Sequence, residues 1–154
     1  MPLLHRFVAT LALLCIAIFF VSTVLVELFG SAVSVATIKA LIVWPGLFIL
    51  VPAIAATGAT GFALAQSRTG PPVQRKKTRM PFIALNGLLV LIPCAVYLDA
   101  LAAAGTFDTR FYVVQGVELL AGAINLILMS MNMRDGLRLR GKARSNARVL
   151  HQSR

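Results

Sequence analysis

Four long apolar runs divide the chain. The first extends from about Phe7 to Phe29, and the others cover residues 40–65, 81–104 and 111–133. Each run has more than 20 residues, and because a helix rises about 1.5 Å per residue, each can cross a hydrocarbon core of roughly 30 Å. Lipid offers no partner to unpaired backbone groups, which favours helices over open strands. The pattern predicts an all-α integral membrane four-helix bundle formed by residues 1–133.

The Lys and Arg residues between the runs are unevenly distributed. With the N-terminus placed inside, the inner segments hold thirteen of the fifteen: one before the first run, five in 67–79 and seven in 134–154. The outer segments hold only Lys39 and Arg110. Cytoplasmic loops of membrane proteins carry an excess of these residues. The count predicts that both termini are cytoplasmic and that residues 134–154 form a basic cytoplasmic tail.

Composition supports a membrane location. Charged residues make up 13% of the chain, about half of what a soluble domain carries. The net charge of +10 is not accompanied by any nucleic-acid-binding motif, so we expect no nucleic acid partner. The basic segments instead predict contact with anionic lipid headgroups, with an acidic protein partner as the alternative. The basic residues assigned to this contact are Arg75, Lys76, Lys77, Arg79, Arg138, Arg140 and Lys142.

The first run is too long for a typical secretory signal peptide. Arg6 precedes 20 uncharged residues, whereas the apolar part of a signal peptide usually has about 7–15. We therefore expect a retained first helix. The second run carries small residues at every fourth position, namely Ala53, Thr57, Gly61 and Ala65. This spacing favours close contact with another helix, either of the same chain or of a second copy.

Polar residues repeat along one stripe of the fourth run. Spacings of three and four residues separate the members of this stripe, which are Gln115, Glu118, Gly122, Asn125, Met129 and Asn132. Because polar groups avoid lipid, we expect the stripe to face the bundle interior. It serves either helix packing or the lining of a buried site. Asn86 of the third run lies at a level that allows contact with Asn125 or Asn132.

Ionisable residues gather toward the predicted outer side. Glu118 lies about 10 Å along its helix from the outer end, where a carboxylate needs a cation or a proton. Lys39 and Arg110 are the candidate cations. Three further polar residues occur near the outer helix ends: Glu27, Tyr97 and Asp99. Simple exposure and an interfacial aromatic belt explain these residues most plainly, but three carboxylates in one zone also suit a hard cation, a substrate amine or a proton relay.

A weaker candidate site lies toward the predicted inner side. His5 begins the first helix, and Met129 and Met133 share a face at the end of the fourth. Histidine and methionine can bind haem iron or copper. A terminal histidine and soft packing by methionine are the simpler interpretation. Cys15 and Cys94 have no metal-ligand spacing and suit structural thiols.

Two resemblances add expectations. The segments RMPFIALNGLLVLIP (79–93) and VELLAGAINLILMSMNMRDGLRLRG (117–141) resemble those of small, mostly uncharacterised bacterial four-helix inner-membrane proteins. This resemblance implies the bacterial inner membrane and no particular activity. The histidine that begins the first helix, with Pro45 and a later Thr-Gly pair, resembles haem- and copper-associated four-helix proteins. Those proteins use histidines within their spans, so the resemblance reaches only His5 here.

No catalytic motif is present in the sequence, neither a nucleophile–base pair nor a phosphate-binding glycine loop. We therefore predict a non-enzymatic packing, accessory or homo-oligomeric membrane module that contacts lipids and a second copy or a membrane-complex partner. The alternative is a small transporter or channel-like protein that uses Glu118, Glu27 and Asp99. A haem- or copper-associated protein is the further alternative, although no cofactor is required by the sequence.

Overall fold

The computed structural model describes residues 2–66 and 71–152, with side chains described for 3–61, 63 and 79–137. Regular structure in this part of the chain is entirely helical. Four segments are long and apolar enough to span a membrane, which we call spans 1 to 4: Leu3–Phe29, Ala32–Gly61, Arg79–Ala103 and Thr109–Leu137. The prediction of an all-α fold is confirmed, with four segments that are long and apolar enough to span a membrane.

Span 1 is formed by one helix, α1 (Pro2–Phe29), and span 2 begins with α2 (Ala32–Leu41). The sequence predicted the second helix from about residue 40, roughly two turns later than the structure places it. Ser31 explains the difference, because its hydroxyl accepts a hydrogen bond from the Ser34 N–H at 3.3 Å and caps α2. The connection between the first two spans is therefore very short.

Span 2 is interrupted near its middle. A π-helical segment (Ile42–Leu47) separates α2 from α3 (Phe48–Gln66). Within it, Trp44 adopts an extended conformation with φ −133° and ψ 114°, and Pro45 supplies no N–H to the helix. Gly46 packs so closely on span 1 that a Cβ atom there would lie 2.6 Å from Phe19 Cζ. Span 2 is thus a broken helix whose break is packed against α1.

Span 3 also contains an irregular segment. It consists of the end of α4 (Pro71–Asn86), a π-helical segment (Gly87–Leu91) and α5 (Ile92–Ala103). The sequence predicted a loop up to residue 79 and a helix start at Pro81, whereas α4 begins at Pro71. Proline is favoured at a helix start, and Lys and Arg are good helix formers, which accounts for a helix in this polar stretch.

Span 4 forms the first part of a long helix, α6 (Thr109–Gln152). Asp108 caps its beginning, with Oδ1 accepting hydrogen bonds from the N–H groups of Arg110 at 3.0 Å and Phe111 at 3.1 Å. The helix continues through residues that the sequence assigned to a separate tail. Helix-forming Leu, Lys and Arg residues allow this continuation, because polarity ends a membrane span without ending a helix.

Two apolar clusters hold the bundle together. One joins span 1 to span 2 through Ala12, Ile16, Leu50 and Ala53. The other lies nearer the end at which α1 finishes and α6 begins, which we call the Phe29 end, and contains Val35, Leu98, Ala102 and Phe111. Ala53 and Thr57 are buried, so the small-residue face predicted for the second run makes at least part of its close contact within this chain.

Candidate functional site

Lys39 and Glu118 form an ion pair inside the bundle. The side chain of Lys39 is fully buried, and its Nζ lies 2.5 Å from Glu118 Oε2. The same oxygen accepts a hydrogen bond from Gln115 Nε2 at 3.0 Å. Of the two cations proposed for Glu118, Lys39 is therefore the partner, whereas Arg110 is exposed. The ion pair joins α2 to α6. Lys39 Nζ and Gln115 Nε2 both donate to the same carboxylate oxygen of Glu118.

Glu27 brings a second carboxylate to this pair. It lies two residues before the end of α1 and within electrostatic range of both Lys39 and Glu118. Its Oε1 atom is buried and has no hydrogen-bond partner among the described residues, and the same is true of Gln115 Oε1. We call Glu27, Lys39, Gln115 and Glu118 the Lys39 cluster. Ionised throughout, the cluster carries two negative charges and one positive charge.

Two other predicted members of the site stand apart from the cluster. Asp99 is partly buried and Tyr97 is 44% exposed. In the described part of the chain, neither residue makes a hydrogen bond or an ion pair. Spacing along the sequence placed three carboxylates in one zone, whereas in the structure Asp99 is not among the charged groups that act on Glu27. The site thus contains two carboxylates.

A cavity of about 60 Å³ borders the cluster. All four spans contribute to its walls, which are apolar apart from Thr23 and Glu118. Ile42 and Leu91 also line it, and they belong to the π-helical segments of spans 2 and 3 respectively. π-helical segments occur frequently at functional sites, and irregular backbone within a membrane is tolerated where it is covered by protein or lines a cavity. The π-helical segments of spans 2 and 3 therefore both line the cavity that Glu118 of the ion pair borders.

An amide pair joins spans 3 and 4 on the other side of the cavity from the Phe29 end. Asn86 Nδ2 donates to Asn125 Oδ1 and to the Ala121 carbonyl, both at 2.9 Å. Asn125 is fully buried and its Nδ2 donates to the Ile83 carbonyl at 3.4 Å. The predicted contact between Asn86 and Asn125 is present. Asn132 is also buried, but its amide has no partner among the described residues.

The rest of the predicted polar stripe also faces inward. Gln115, Asn125 and Asn132 are buried, while Glu118 and Met129 are partly buried. Gly122 lines the cavity, where an added Cβ atom would lie 3.4 Å from Phe20 Cδ2. The stripe therefore has two roles. Asn125 joins spans 3 and 4 through its contact with Asn86, whereas Glu118 and Gly122 line the cavity.

His5 is buried at the opposite end of the bundle. Its Nδ1 lies 2.9 Å from Thr60 Oγ1, and the Thr60 hydroxyl donates to the Ala56 carbonyl at 2.6 Å. Because a hydroxyl has one hydrogen, Nδ1 of His5 is the donor in this contact. An added Cβ at Gly61 would lie 3.1 Å from His5 Cε1 and 3.2 Å from Met80 Cε. Thr60 belongs to one of the two Thr-Gly pairs, Thr57-Gly58 and Thr60-Gly61, that the resemblance sets beside His5, whereas Met80 has no spacing signal relative to His5 and was missed.

The two methionines proposed as partners of His5 have different surroundings. Met129 packs against the apolar cluster around Ala12, about two helical turns along α1 from His5, and Met133 is 43% exposed. Among the described residues there is no group of three or more His, Cys, Asp or Glu side chains placed to hold a metal ion.

The basic residues are only partly described. Arg79 forms an ion pair with Asp135, with 3.1 Å between Nη1 and Oδ2, and links α4 to α6. The other residues proposed to hold lipid headgroups lie outside the described side chains: Arg75, Lys76, Lys77, Arg138, Arg140 and Lys142. Only Arg79 of this group can thus be placed, and it pairs within the protein.

No family model, curated protein sequence or solved structure matches the chain.

Proposed function

We propose that this chain is a small, non-enzymatic protein of the bacterial inner membrane that binds a small positively charged species at the Lys39 cluster and passes it across the membrane. The observation that supports this proposal is the unequal number of charges in the cluster. Glu118 pairs with the ammonium group of Lys39, and Glu27 lies within electrostatic range of the same group. One further positive charge makes the cluster neutral.

The energetics of the membrane favour a functional interpretation of this imbalance. An ionised side chain at the centre of a span costs about 2.5–3.5 kcal/mol on insertion scales. Helix packing alone does not need such groups, because the neutral Asn86–Asn125 pair joins two spans with hydrogen bonds. The cavity and the two π-helical segments beside Glu118 provide space and adjustable backbone at the same place.

A packing or accessory module is the second candidate function. It is supported by the contacts that cross between spans, His5 to Thr60 and Asn86 to Asn125. Interhelical hydrogen bonds of this kind are worth about 0.6 kcal/mol on average and up to about 1.7 in a membrane. In this case the ion pair only locks the bundle, and the protein acts through a second copy or another membrane protein.

Orientation is the first expectation to test. The distribution of Lys and Arg places the Phe29 end outside and both termini in the cytoplasm. A fluorescent protein fused after residue 154 should fold and fluoresce, and an alkaline phosphatase fused there should be inactive. Fusions truncated in the connection at residue 106 should give the opposite pair of results. Active phosphatase at the C-terminus would contradict the proposed orientation.

Cation movement is tested with purified protein in liposomes. Proteoliposomes should pass protons, Na⁺ or K⁺ down an imposed gradient faster than empty liposomes. Glu27→Gln should lower this rate about tenfold or more, since an intramembrane charge is worth a few kcal/mol. Asp99→Asn, which changes a nearby carboxylate outside the cluster, is the matched control and should keep the rate. No flux above empty liposomes for any of the three ions would refute the proposal and favour the packing module.

A further inference from the structure

We infer that the positive charge taken up by the Lys39 cluster is a proton, and that Glu27 rather than Glu118 holds it. This inference rests on the proposed function and names the species and the residue that carry it. It begins from the two carboxylates of the cluster, which have different surroundings. Glu118 has its partners already, whereas Glu27 does not.

Glu118 is committed to its ion pair. Its Oε2 atom accepts from the Lys39 ammonium at 2.5 Å and from Gln115 Nε2 at 3.0 Å. Both donors are therefore hydrogen-bonded to the same carboxylate oxygen. A proton added to Glu118 would remove the counter-charge of Lys39, whose side chain is fully buried. An unpaired buried ammonium is costly, so Glu118 is poorly suited to exchange protons.

Glu27 lacks such partners. Its Oε1 atom is buried without a hydrogen-bond donor among the described residues. The charged groups that act on it come from two other helices: Lys39 of α2 and Glu118 of α6. Lys39 attracts an ionised Glu27 and Glu118 repels it, and Lys39 is already paired with Glu118 at 2.5 Å. An ionised carboxylate in this position therefore shares its counter-charge with Glu118 and lacks a full set of hydrogen bonds.

Gln115 provides the acceptor that a protonated Glu27 requires. Its side chain is 4% exposed, its Nε2 is held by Glu118, and its Oε1 is buried without a donor. Thr23, one turn before Glu27 on α1, lines the same cavity as Glu118. Gln115 lies one turn from Glu118 in the same direction, toward the Phe29 end. Glu27 and Gln115 are therefore at the same level of the bundle.

One proton on Glu27 removes the excess negative charge of the cluster and supplies a donor for the unpaired Gln115 Oε1. The Glu27 carboxylate takes a proton from hydronium, so the O–H bond of the carboxylic acid forms as one O–H bond of hydronium breaks and water leaves. The charge of the cluster changes from minus one to zero, and Glu27 changes from an acceptor only to a donor as well. Gln115 Oε1 is the unpaired acceptor at its level. Because Glu27 lies two residues from the end of α1, the exchanging proton has a short path to water at the Phe29 end.

The ligand set is less suited to a metal ion. Hard divalent cations take about six or more oxygen ligands, whereas the unpartnered buried oxygens of the cluster are Glu27 Oε1 and Gln115 Oε1. A divalent ion would also change the cluster charge from minus one to plus one. A proton needs one donor atom and one acceptor, which is what the cluster offers among its described residues.

Infrared difference spectroscopy on the purified full-length protein tests this assignment. At neutral pH, the wild-type spectrum should contain the C=O stretch of a buried protonated carboxylic acid, which shifts in heavy water and disappears when the pH is raised. Glu27→Gln should remove this band. Asp99→Asn should keep it, and so should the paired variant Lys39→Met with Glu118→Gln. Gel filtration in detergent should show Glu27→Gln at the wild-type elution volume, because the amide is isosteric and neutral.

The outcomes separate this inference from the proposed function. A band that persists in Glu27→Gln but is lost in the paired variant would assign the proton to Glu118 and overturn the inference. The absence of any such band, with carboxylate bands that respond to Na⁺, would also overturn it while leaving cation transport intact. A band that depends on Glu27 in a protein without ion flux would support the proton site and refute the transport function.

Discussion

Replacing Glu118 by Gln alone should destabilise the folded bundle by about 3–5 kcal/mol, because it leaves a buried charge without its partner. The side chain of Lys39 is fully buried and Glu118 is the only ion-pair partner described for it. Lys39→Met should have an effect of the same sign. The measurement is reversible unfolding of the purified protein in mixed micelles, followed by circular dichroism.

The paired variant Lys39→Met with Glu118→Gln should recover most of this loss. Neutral groups of similar volume often replace a buried ion pair at little cost, or with a gain of about 1–4 kcal/mol. The Arg79–Asp135 pair, with each side chain 21% exposed, is the matched comparison, and Arg79→Met should cost only about 0–1 kcal/mol. A paired variant no more stable than Glu118→Gln would show that the two charges do not interact as the structure places them.

This cycle also discriminates between the two candidate functions. If the protein is a packing module, the paired variant restores stability and should also restore the association with a second copy or another membrane protein. In the proposed cation-binding protein, the paired variant folds but has lost the ionised pair that holds Gln115 and borders the cavity. Ion flux should then stay low in a stable protein. The paired variant should recover stability without recovering ion flux only if the ion pair belongs to a cation-binding site.

Helical periodicity predicted the features that depend on one helix or on two helices at a known level. The stripe from Gln115 to Asn132 faces inward because polar side chains avoid contact with lipid, whichever helices are neighbours. The contact of Asn86 with Asn125 followed from their similar depth. Lys39 was one of two possible partners of Glu118, and sequence alone could not choose between it and Arg110, because the choice depends on which helices are neighbours.

Other features depend on helix rotation and backbone irregularity, which periodicity does not encode. Asp99 and Glu27 both lie near helix ends, but only Glu27 is turned toward the cluster. Spacing along the sequence grouped Asp99 with Glu27 and Glu118, because it does not record how each helix is rotated. Trp44 is exposed to 64% because the helix breaks at that residue, and the break was visible in the sequence only as Pro45.

Gly46→Ala tests the broken helix directly, and should destabilise the protein by about 1–3 kcal/mol, as overpacking of a tight contact does. The added Cβ would lie 2.6 Å from Phe19 Cζ and 2.9 Å from the Leu41 carbonyl oxygen. The ring of Phe19 can rotate away, but the backbone oxygen of Leu41 cannot move without changing the break. Combining Gly46→Ala with Phe19→Leu should therefore recover only part of the loss.

Gly116→Ala is the matched control, since nothing lies within 4 Å of the added Cβ and alanine is favoured over glycine in a helix by about 1 kcal/mol. It should leave thermal unfolding unchanged or raise its midpoint. Phe19 and the flanking Ile42 both line the cavity beside Glu118, so Gly46→Ala should also slow ion flux in the fraction that folds. Equal stability of the two glycine variants would mean that span 2 does not pack its break against α1. In that case the cavity that borders the Lys39 cluster would lose one of its walls, and the transport proposal would lose the geometry on which it depends.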